Sequence, residues 1–323
     1  MKRTMEALDK RAEALIAEQL TEWDTAREHY AQLTQVQVKS IRFPGFRFDV
    51  QFNRARIRST SAPVDAHAIR ERPCFLCREN RPSQQRAIPF GDYDILVNPF
   101  PIFPDHLTIA AREHIPQFIA GRVSELLDFT RRLDGFAVFY NGPEGGASAP
   151  DHLHFQAVCR GVLPVEYEAE RWPEKSLLRE KDGIRIFGME HFLRKALVVD
   201  GRDEKEVANA AGQIMEAFAS LQPELSEPRV NIVAWYTQRG YRLVLFPRQG
   251  HRPRQFYAEG EGRILFSPGA VDFAGVIVTV READYRRMNR DLLTDLFLQL
   301  TLNDESWKEL KERIRACSGR NRA

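Results

Sequence analysis

A chain of 323 residues with 43% hydrophobic and 28% charged side chains can build one large core or two fused smaller ones, and this composition excludes a disordered or a membrane class. The formal charge of +2 arises from arginines spread along the chain, so there is no basic footprint for nucleic acid. No apolar run reaches the length of a membrane span, the start lacks a signal-peptide core, and four cysteines with one Cys-x-x-Cys point to a reducing compartment; a cytoplasmic protein is expected.

Leu8, Leu15, Ile16, Leu20, Trp23, Tyr30 and Leu33 recur at helical spacing, which predicts helix within residues 2–33. From Ile41 to Ile57 the pattern changes to short β-rich stretches around Phe46, Phe48, Val50 and Phe52, broken by Pro44 and Gly45. Residues 93–97 and 107–111 read as strands flanking a proline-rich turn, 123–133 as a helix, and 135–140 as the strand entering a glycine-rich loop. Further on, a helix is expected over 204–221 and strands over 230–236 and 241–246. Residues 264–280 read as mostly extended, 283–300 as a final amphipathic helix, and 313–323 as a frayed basic tail. Residues 107–118 (LTIAAREHIPQF) echo 243–256 (LVLFPRQGHRPRQF), and 94–97 echo 231–234. The echo implies either two similar α+β halves or two unrelated strand–turn–helix stretches.

The densest chemistry lies at residues 152–156, His-Leu-His-Phe-Gln. In a strand, His152, His154 and Gln156 share one face and Leu153 and Phe155 the other. Residues 141–150, Asn-Gly-Pro-Glu-Gly-Gly-Ala-Ser-Ala-Pro, lie just upstream and suit a backbone that approaches phosphate closely. A histidine beside phosphate can act as a nucleophile through a reactive phosphoramidate; the plainer alternative is a half-buried strand whose histidines only hydrogen-bond. Cys74-Phe-Leu-Cys77 is spaced to put two thiolates on one metal ion, and His114 and His152 are candidates to complete a closed, structural zinc site. A thioredoxin-like redox pair, lacking its βαβ context, and two inert buried cysteines are the competing readings. His106 and His251, near predicted turns, read as structural hydrogen-bonding residues, and Arg248, Arg252 and Arg254 either reach a phosphate or form a solvated loop.

Together these features resemble the galactose-1-phosphate uridylyltransferase branch of the histidine triad superfamily. Cys74 and Cys77 stand where that family has its zinc cysteines, and residues 103–114 resemble the strand and turn before its catalytic half. Asn141 through Ser148 resemble its phosphate loop, and His152-Leu-His154-Phe-Gln156 is similar to its His-x-His-x-Gln. Gln51-Phe-Asn53-Arg-Ala-Arg56 is similar to a segment of GDP-L-galactose phosphorylase and diadenosine tetraphosphate phosphorylase, of the same branch. Two features depart from the uridylyltransferases: Leu153 separates the histidines where proline is usual, and Asp151 moves Ser148 one residue further from them.

The resemblance implies an α+β fold of two tandem histidine-triad-like halves with antiparallel sheets flanked by helices, the second half degenerate. Its parts would be a helical extension over 1–40, a catalytic half over 41–185, and a degenerate half with C-terminal helices over 186–323. It implies a nucleotidyltransferase or phosphorylase acting on a nucleoside diphosphate sugar or a dinucleoside polyphosphate through a covalent nucleotidyl-histidine. Phosphate or a sugar phosphate would be the acceptor. His154 would be the nucleophile and Gln156 the amide that holds the phosphate in the adduct; Asn53, Arg56, Asn141 and Ser148 would bind substrate. Zinc on Cys74, Cys77, His114 and His152 and a homodimer are implied as well, with neither nucleic acid nor membrane as partner. A hydrolase of nucleotide conjugates is one alternative, disfavoured by the non-titrating amide of Gln156; a zinc-stabilised nucleotide-binding protein without turnover is the other.

Overall fold

The computed structural model describes residues 7–57, 69 and 71–317. Strands β1 (Gln37–Phe43) and β2 (Phe46–Phe52) form a hairpin whose turn is made by Pro44 and Gly45, the latter at φ +80°. Then come β3 (Ala87–Phe90), β4 (Tyr93–Val97), β5 (His106–Ala111), β6 (Phe136–Asn141) and β7 (His154–Cys159). A second set follows: β8 (Lys175–Lys181), β9 (Ile184–Met189), β10 (Leu197–Gly201), β11 (Val230–Thr237) and β12 (Gly240–Pro247). These ten form one sheet in the order β3-β4-β5-β7-β6-β11-β12-β10-β9-β8. The final strand, β13 (Val276–Thr279), runs parallel to β2 and completes a separate three-stranded sheet.

Helices α1 (Leu8–Glu22) and α2 (Asp24–Gln32) open the described chain. Next are α3 (Val123–Arg132), α4 (Pro164–Arg171) and α5 (Glu204–Ala219), then the single turns α6 (Arg254–Tyr257) and α7 (Ala270–Phe273). The last are α8 (Glu282–Arg287), α9 (Arg290–Leu300) and α10 (Asp304–Ala316). Each half of the large sheet therefore runs β-β-β-α-β-β, with α3 in the first half and α5 at the same place in the second. The halves join antiparallel through β6 and β11, with Asn141 opposite Asn231. The fold is thus α+β with two halves of like topology, and β12, which takes the place of β7, carries no histidine.

Strand alternation separates two cores. Val138, Tyr140, Leu153, Phe155, Ile232 and Leu245 face α1, α3, α5 and α10, whereas Phe139, Val158, Val233 and Phe246 face the small sheet with α4, α7 and α9. The α5 sequence explains its placement: Asp203 accepts the Glu206 N–H at 3.0 Å as N-cap, and Val207, Ala210, Ala211, Ile214 and Phe218 make one buried stripe. Among the described residues, no helix is long and apolar enough to cross a membrane.

Several sequence expectations need correction. The helical stretch within 2–33 breaks at Trp23, which is extended and buried. Residues 264–280 are extended only in part: α7 interrupts them, and the Asp272 carboxylate accepts the N–H groups of Gly269 (2.9 Å) and Val278 (3.2 Å), closing that turn before strand β13. The stretch 283–300 is two helices, because Asn289 caps α9 by accepting the Leu292 N–H at 2.8 Å, and α10 follows it. Arg313 is not in a frayed tail but in α10, bonded to Glu309 and Ser220; residues 318–323 lie outside the described residues. The echo of 107–118 in 243–256 pairs β5 with β12, but the topology makes β10 the counterpart of β5. Residues 41 and 185 fall inside β1 and β9, and the second set of strands begins at Lys175.

Arg248 closes the junction of the halves. Fully buried, it donates from Nη1 to Gly145 O, Asn231 Oδ1 and Pro268 O, each at 2.9 Å, and from Nη2 to His251 O at 2.5 Å. It is therefore neither a phosphate ligand nor part of a solvated loop, while Arg254 pairs with Asp295 at 2.7 Å on the surface. Arg248→Ala would leave these buried acceptors without a donor and is expected to remove about 3–5 kcal/mol, read as a lower urea midpoint.

Candidate active site and metal centre

Cys74 and Cys77 lie on one turn, closed by Cys77 N–H to Cys74 O at 3.2 Å, while His114 follows β5 and His152 precedes β7. Their four ligand atoms lie within 4.8 Å of one another. His152 Nδ1 is 3.3 Å from Cys74 Sγ and 3.5 Å from Cys77 Sγ, and His114 Nδ1 is 3.1 Å from Cys77 Sγ. Zinc–sulfur and zinc–nitrogen bonds at a tetrahedral angle put S and N about 3.5 Å apart, so this spacing is compatible with zinc. The tautomer fits too: His152 Nε2 sits 2.7 Å from Ala111 O and donates to it, leaving the Nδ1 lone pair toward the sulfurs. Burial, then the neighbouring Cys74, pushes the Cys77 thiol up to about 11, so two thiolates here call for a cation.

His154 begins β7 and lines a cavity of about 440 Å³. Leu153 and Phe155 face the helix-covered core, and His154 and Gln156 share the opposite face. His152 belongs to neither: it stands before the strand in a bend and turns its ring to the cysteines. Its carbonyl is 2.8 Å from His154 Nδ1, which donates to it, so Nε2 is the nitrogen left with a lone pair. Burial brings the His154 imidazole down to about 4, so the ring is neutral near pH 7.

Gln156 is oriented in the same way. Ile102 N–H donates to His106 Nδ1 at 3.2 Å, which makes Nε2 the protonated nitrogen, and Nε2–H donates to Gln156 Oε1 at 2.9 Å. The Gln156 NH2 is thereby the end left for a ligand. Burial and the Arg56 charge lower His106 to about 3, so it stays neutral in this role. Asn141 Oδ1 accepts from Asn231 Nδ2 (2.8 Å) and Ala270 N–H (2.7 Å), which again leaves an NH2 beside the cavity.

Ser148 and Arg56 also line the cavity; Arg56 donates to Phe100 O, and burial lowers its pKa to about 10. Asn53 does not line it, because its amide donates to Pro101 O at 3.2 Å. His251 and Arg252 reach the cavity from the second half, Arg252 donating to Ser267 Oγ at 2.9 Å. The lining also includes apolar side chains, among them Phe75, Leu76, Leu96, Pro99 and Phe100. The glycine-rich loop meets a constraint beyond ligand access: a Cβ on Gly145 would lie 2.5 Å from Val230 O, and one on Gly146, at φ +96°, 2.5 Å from Pro268 O. Sequence reasoning missed Gln117 and Asn231, whose partners are remote in the chain and leave no local spacing signal, and Asn98, just after β4, which bonds the nearby Phe100, His106 and Thr108.

Residues 15–159 match a family model described as a domain of unknown function (DUF4922), and residues 168–320 match one described as a GDPGP1-like, C-terminal domain. No curated protein matches the chain. The crystal structure of yeast Ap4A phosphorylase Apa2 in complex with AMP is similar at 15% identity and a TM-score of 0.63, covering 90% of this chain and 96% of that one. Its complex with Ap4A is similar at 14% identity and a TM-score of 0.62, with 90% and 97% covered. Residues 168–320 thus match a GDPGP1-like C-terminal domain, and the chain shares the two-half fold of the Apa2 structure along 90% of its length.

Proposed function

We propose that the protein is a nucleotidyltransferase of the phosphorylase or uridylyltransferase kind. It would carry a nucleoside monophosphate from a nucleoside diphosphate sugar or a dinucleoside polyphosphate to phosphate or a sugar phosphate, by way of a nucleotidyl-His154 intermediate. The observation that carries this reading is the fixed tautomer of His154, whose Nδ1–H is tied to the His152 carbonyl at 2.8 Å. In the first step the Nε2 lone pair bonds to the α-phosphorus, and the P–O bond to the phosphorylated leaving group breaks with its electron pair. The ring then carries a positive charge, which the His152 carbonyl stabilises at Nδ1–H. In the second step an acceptor phosphate oxygen attacks the phosphorus, and the N–P electron pair returns to Nε2.

The NH2 groups of Gln156 and Asn141 and the Ser148 hydroxyl would donate to the phosphate in flight, and the Arg56 cation, which lines the same cavity, would stabilise its charge. Asn53 supports this set by holding the Pro101 carbonyl. None of these donors is an acid that titrates near neutral pH, which suits a phosphorylated leaving group better than hydrolysis. The Apa2 crystals carry AMP and Ap4A, in keeping with a nucleotide donor. Zinc on Cys74, Cys77, His114 and His152 would act as a structural clamp, tying the cysteine turn to the residue two before the nucleophile. A homodimer, implied by the family likeness, belongs to the same proposal and is read by sedimentation.

With UDP-, GDP- and ADP-sugars and diadenosine tetraphosphate as donors, intact-protein mass spectrometry is expected to show an added nucleoside monophosphate that His154→Ala abolishes. An adduct that persists in His154→Ala, or none from any donor, would falsify the covalent route. His106→Ala is expected to slow adduct formation by about tenfold to a hundredfold, because the Gln156 amide loses its orientation. Metal analysis is expected to give about one zinc per chain, lost in Cys74→Ser together with a lower melting temperature; a metal-free protein of unchanged stability would remove zinc from the proposal.

A further inference from the structure

Asn141 and His154 continue the β6–β7 register, in which Phe139 lies opposite Gln156, but they are past its last pair. Buried Gln117 fills the gap instead. Its Oε1 accepts the His154 N–H at 2.7 Å, and its Nε2 donates to the carbonyls of His154 (3.0 Å) and Asn141 (2.9 Å). Three backbone groups at the head of the nucleophile's strand thus depend on one side chain.

Gln117 is itself held from the helix-covered face of the sheet. Tyr140 Oη lies 2.9 Å from Gln117 O and 2.6 Å from Glu227 Oε1, and Glu227 Oε2 accepts the Ile119 N–H at 2.6 Å. A count of protons is decisive here. Tyr140 has one hydroxyl proton and two acceptors within bonding distance. If Glu227 is ionised, the proton goes to the carboxylate and the Gln117 carbonyl faces a bare oxygen. If Glu227 Oε1 carries a proton, it donates to Tyr140 Oη, Tyr140 donates to Gln117 O, and every group is satisfied. Burial pushes Glu227 up to about 7, in accord with the protonated arrangement. The charged groups on the adjoining segments are engaged elsewhere: Arg229 pairs with Glu144 at 2.5 Å, and Arg122 with Glu125 at 3.1 Å.

We infer that Gln117 is the positioning residue of His154, and that the proton on the Glu227–Tyr140 pair holds Gln117 in register, so that ionising Glu227 loosens the head of β7. The effect on rate rests on His154 being the nucleophile; the effect on structure does not.

Both are measured on the full chain. In a pH series from about 5.5 to about 8.5, the His154 backbone amide resonance of the wild type is expected to shift with a midpoint near the Glu227 value of about 7. In Glu227→Gln the amide donates to Tyr140 at every pH, so the resonance should not move. Tyr140→Phe, which cuts the line at another point, should remove the shift as well. Over the same range the wild-type rate of adduct formation on His154 should fall at least about tenfold, without a matching change in the donor concentration for half-saturation, and Glu227→Gln should abolish that fall. A wild-type amide that does not titrate, or one that titrates alike in Glu227→Gln, overturns the inference. If the amide behaves as expected and no adduct ever forms, the nucleophile reading fails and the proton line stands.

Discussion

The pairing of Asn141 with Asn231 across the junction of the two halves is the constraint on which the site depends. Both side chains are buried, and Asn231 Nδ2 reaches Asn141 Oδ1 at 2.8 Å and Gly145 O at 2.6 Å, while Arg248 holds the Asn231 oxygen at 2.9 Å. Without water, each polar group at this junction must find a protein partner, and the partners available decide which of its ends is used. The same logic repeats around the cavity. His154 gives its Nδ1–H to a carbonyl, Gln156 gives its oxygen to His106, and Asn141 gives its oxygen to the second half. What is left on the cavity side is one lone pair and two NH2 groups, a set suited to attack on phosphorus and to an anionic oxygen nearby.

Much of this chemistry was legible in the sequence because it is encoded over short distances. His154 and Gln156 are two residues apart on one strand, and the Cys-x-x-Cys turn is a local geometry, so spacing alone brings each pair together. His152 keeps its expected place beside the cysteines but does not share a strand face with His154 and Gln156, because β7 begins after it. A ligand to the cysteine turn has to leave the pleat, and the strand starts only after it. The places of Gln117 and Glu227, and the structural role of Arg248, are not legible in the sequence for a different reason. Their partners lie far away in sequence, and no periodicity records such contacts. Strand β8, KSLLREK, was missed because it lies at the edge of the sheet, largely exposed and rich in charge, and is specified by its pairing with β9.

The internal repeat shows how local likeness can mislead. Residues 107–118 and 243–256 share an apolar strand followed by a turn with arginine and histidine, yet they belong to different positions in the two halves. Strand pairing, not composition, assigns them. The glycines of the 141–150 loop were read for access to phosphate, but Gly145 and Gly146 are already required by the carbonyls of Val230 and Pro268. Both demands can hold on one loop, because a chain pressed against the second half on one side presents its other side to the cavity.

The second half therefore has a definite structural task although β12, at the place of β7, carries no histidine. It supplies Asn231 and Ala270 to orient Asn141, Arg248 to fasten the glycine-rich loop, and Glu227 to hold the segment that carries Gln117. These contacts act on Asn141, which lines the cavity, on Gly145 beside the cavity-lining Gly146, and on the segment next to Gln117. The topology of the second half is thus under restraint although β12 carries no histidine, since its polar contacts fix groups around the cavity. A change in the core of the second half would then be felt at the His154 strand through these few polar contacts.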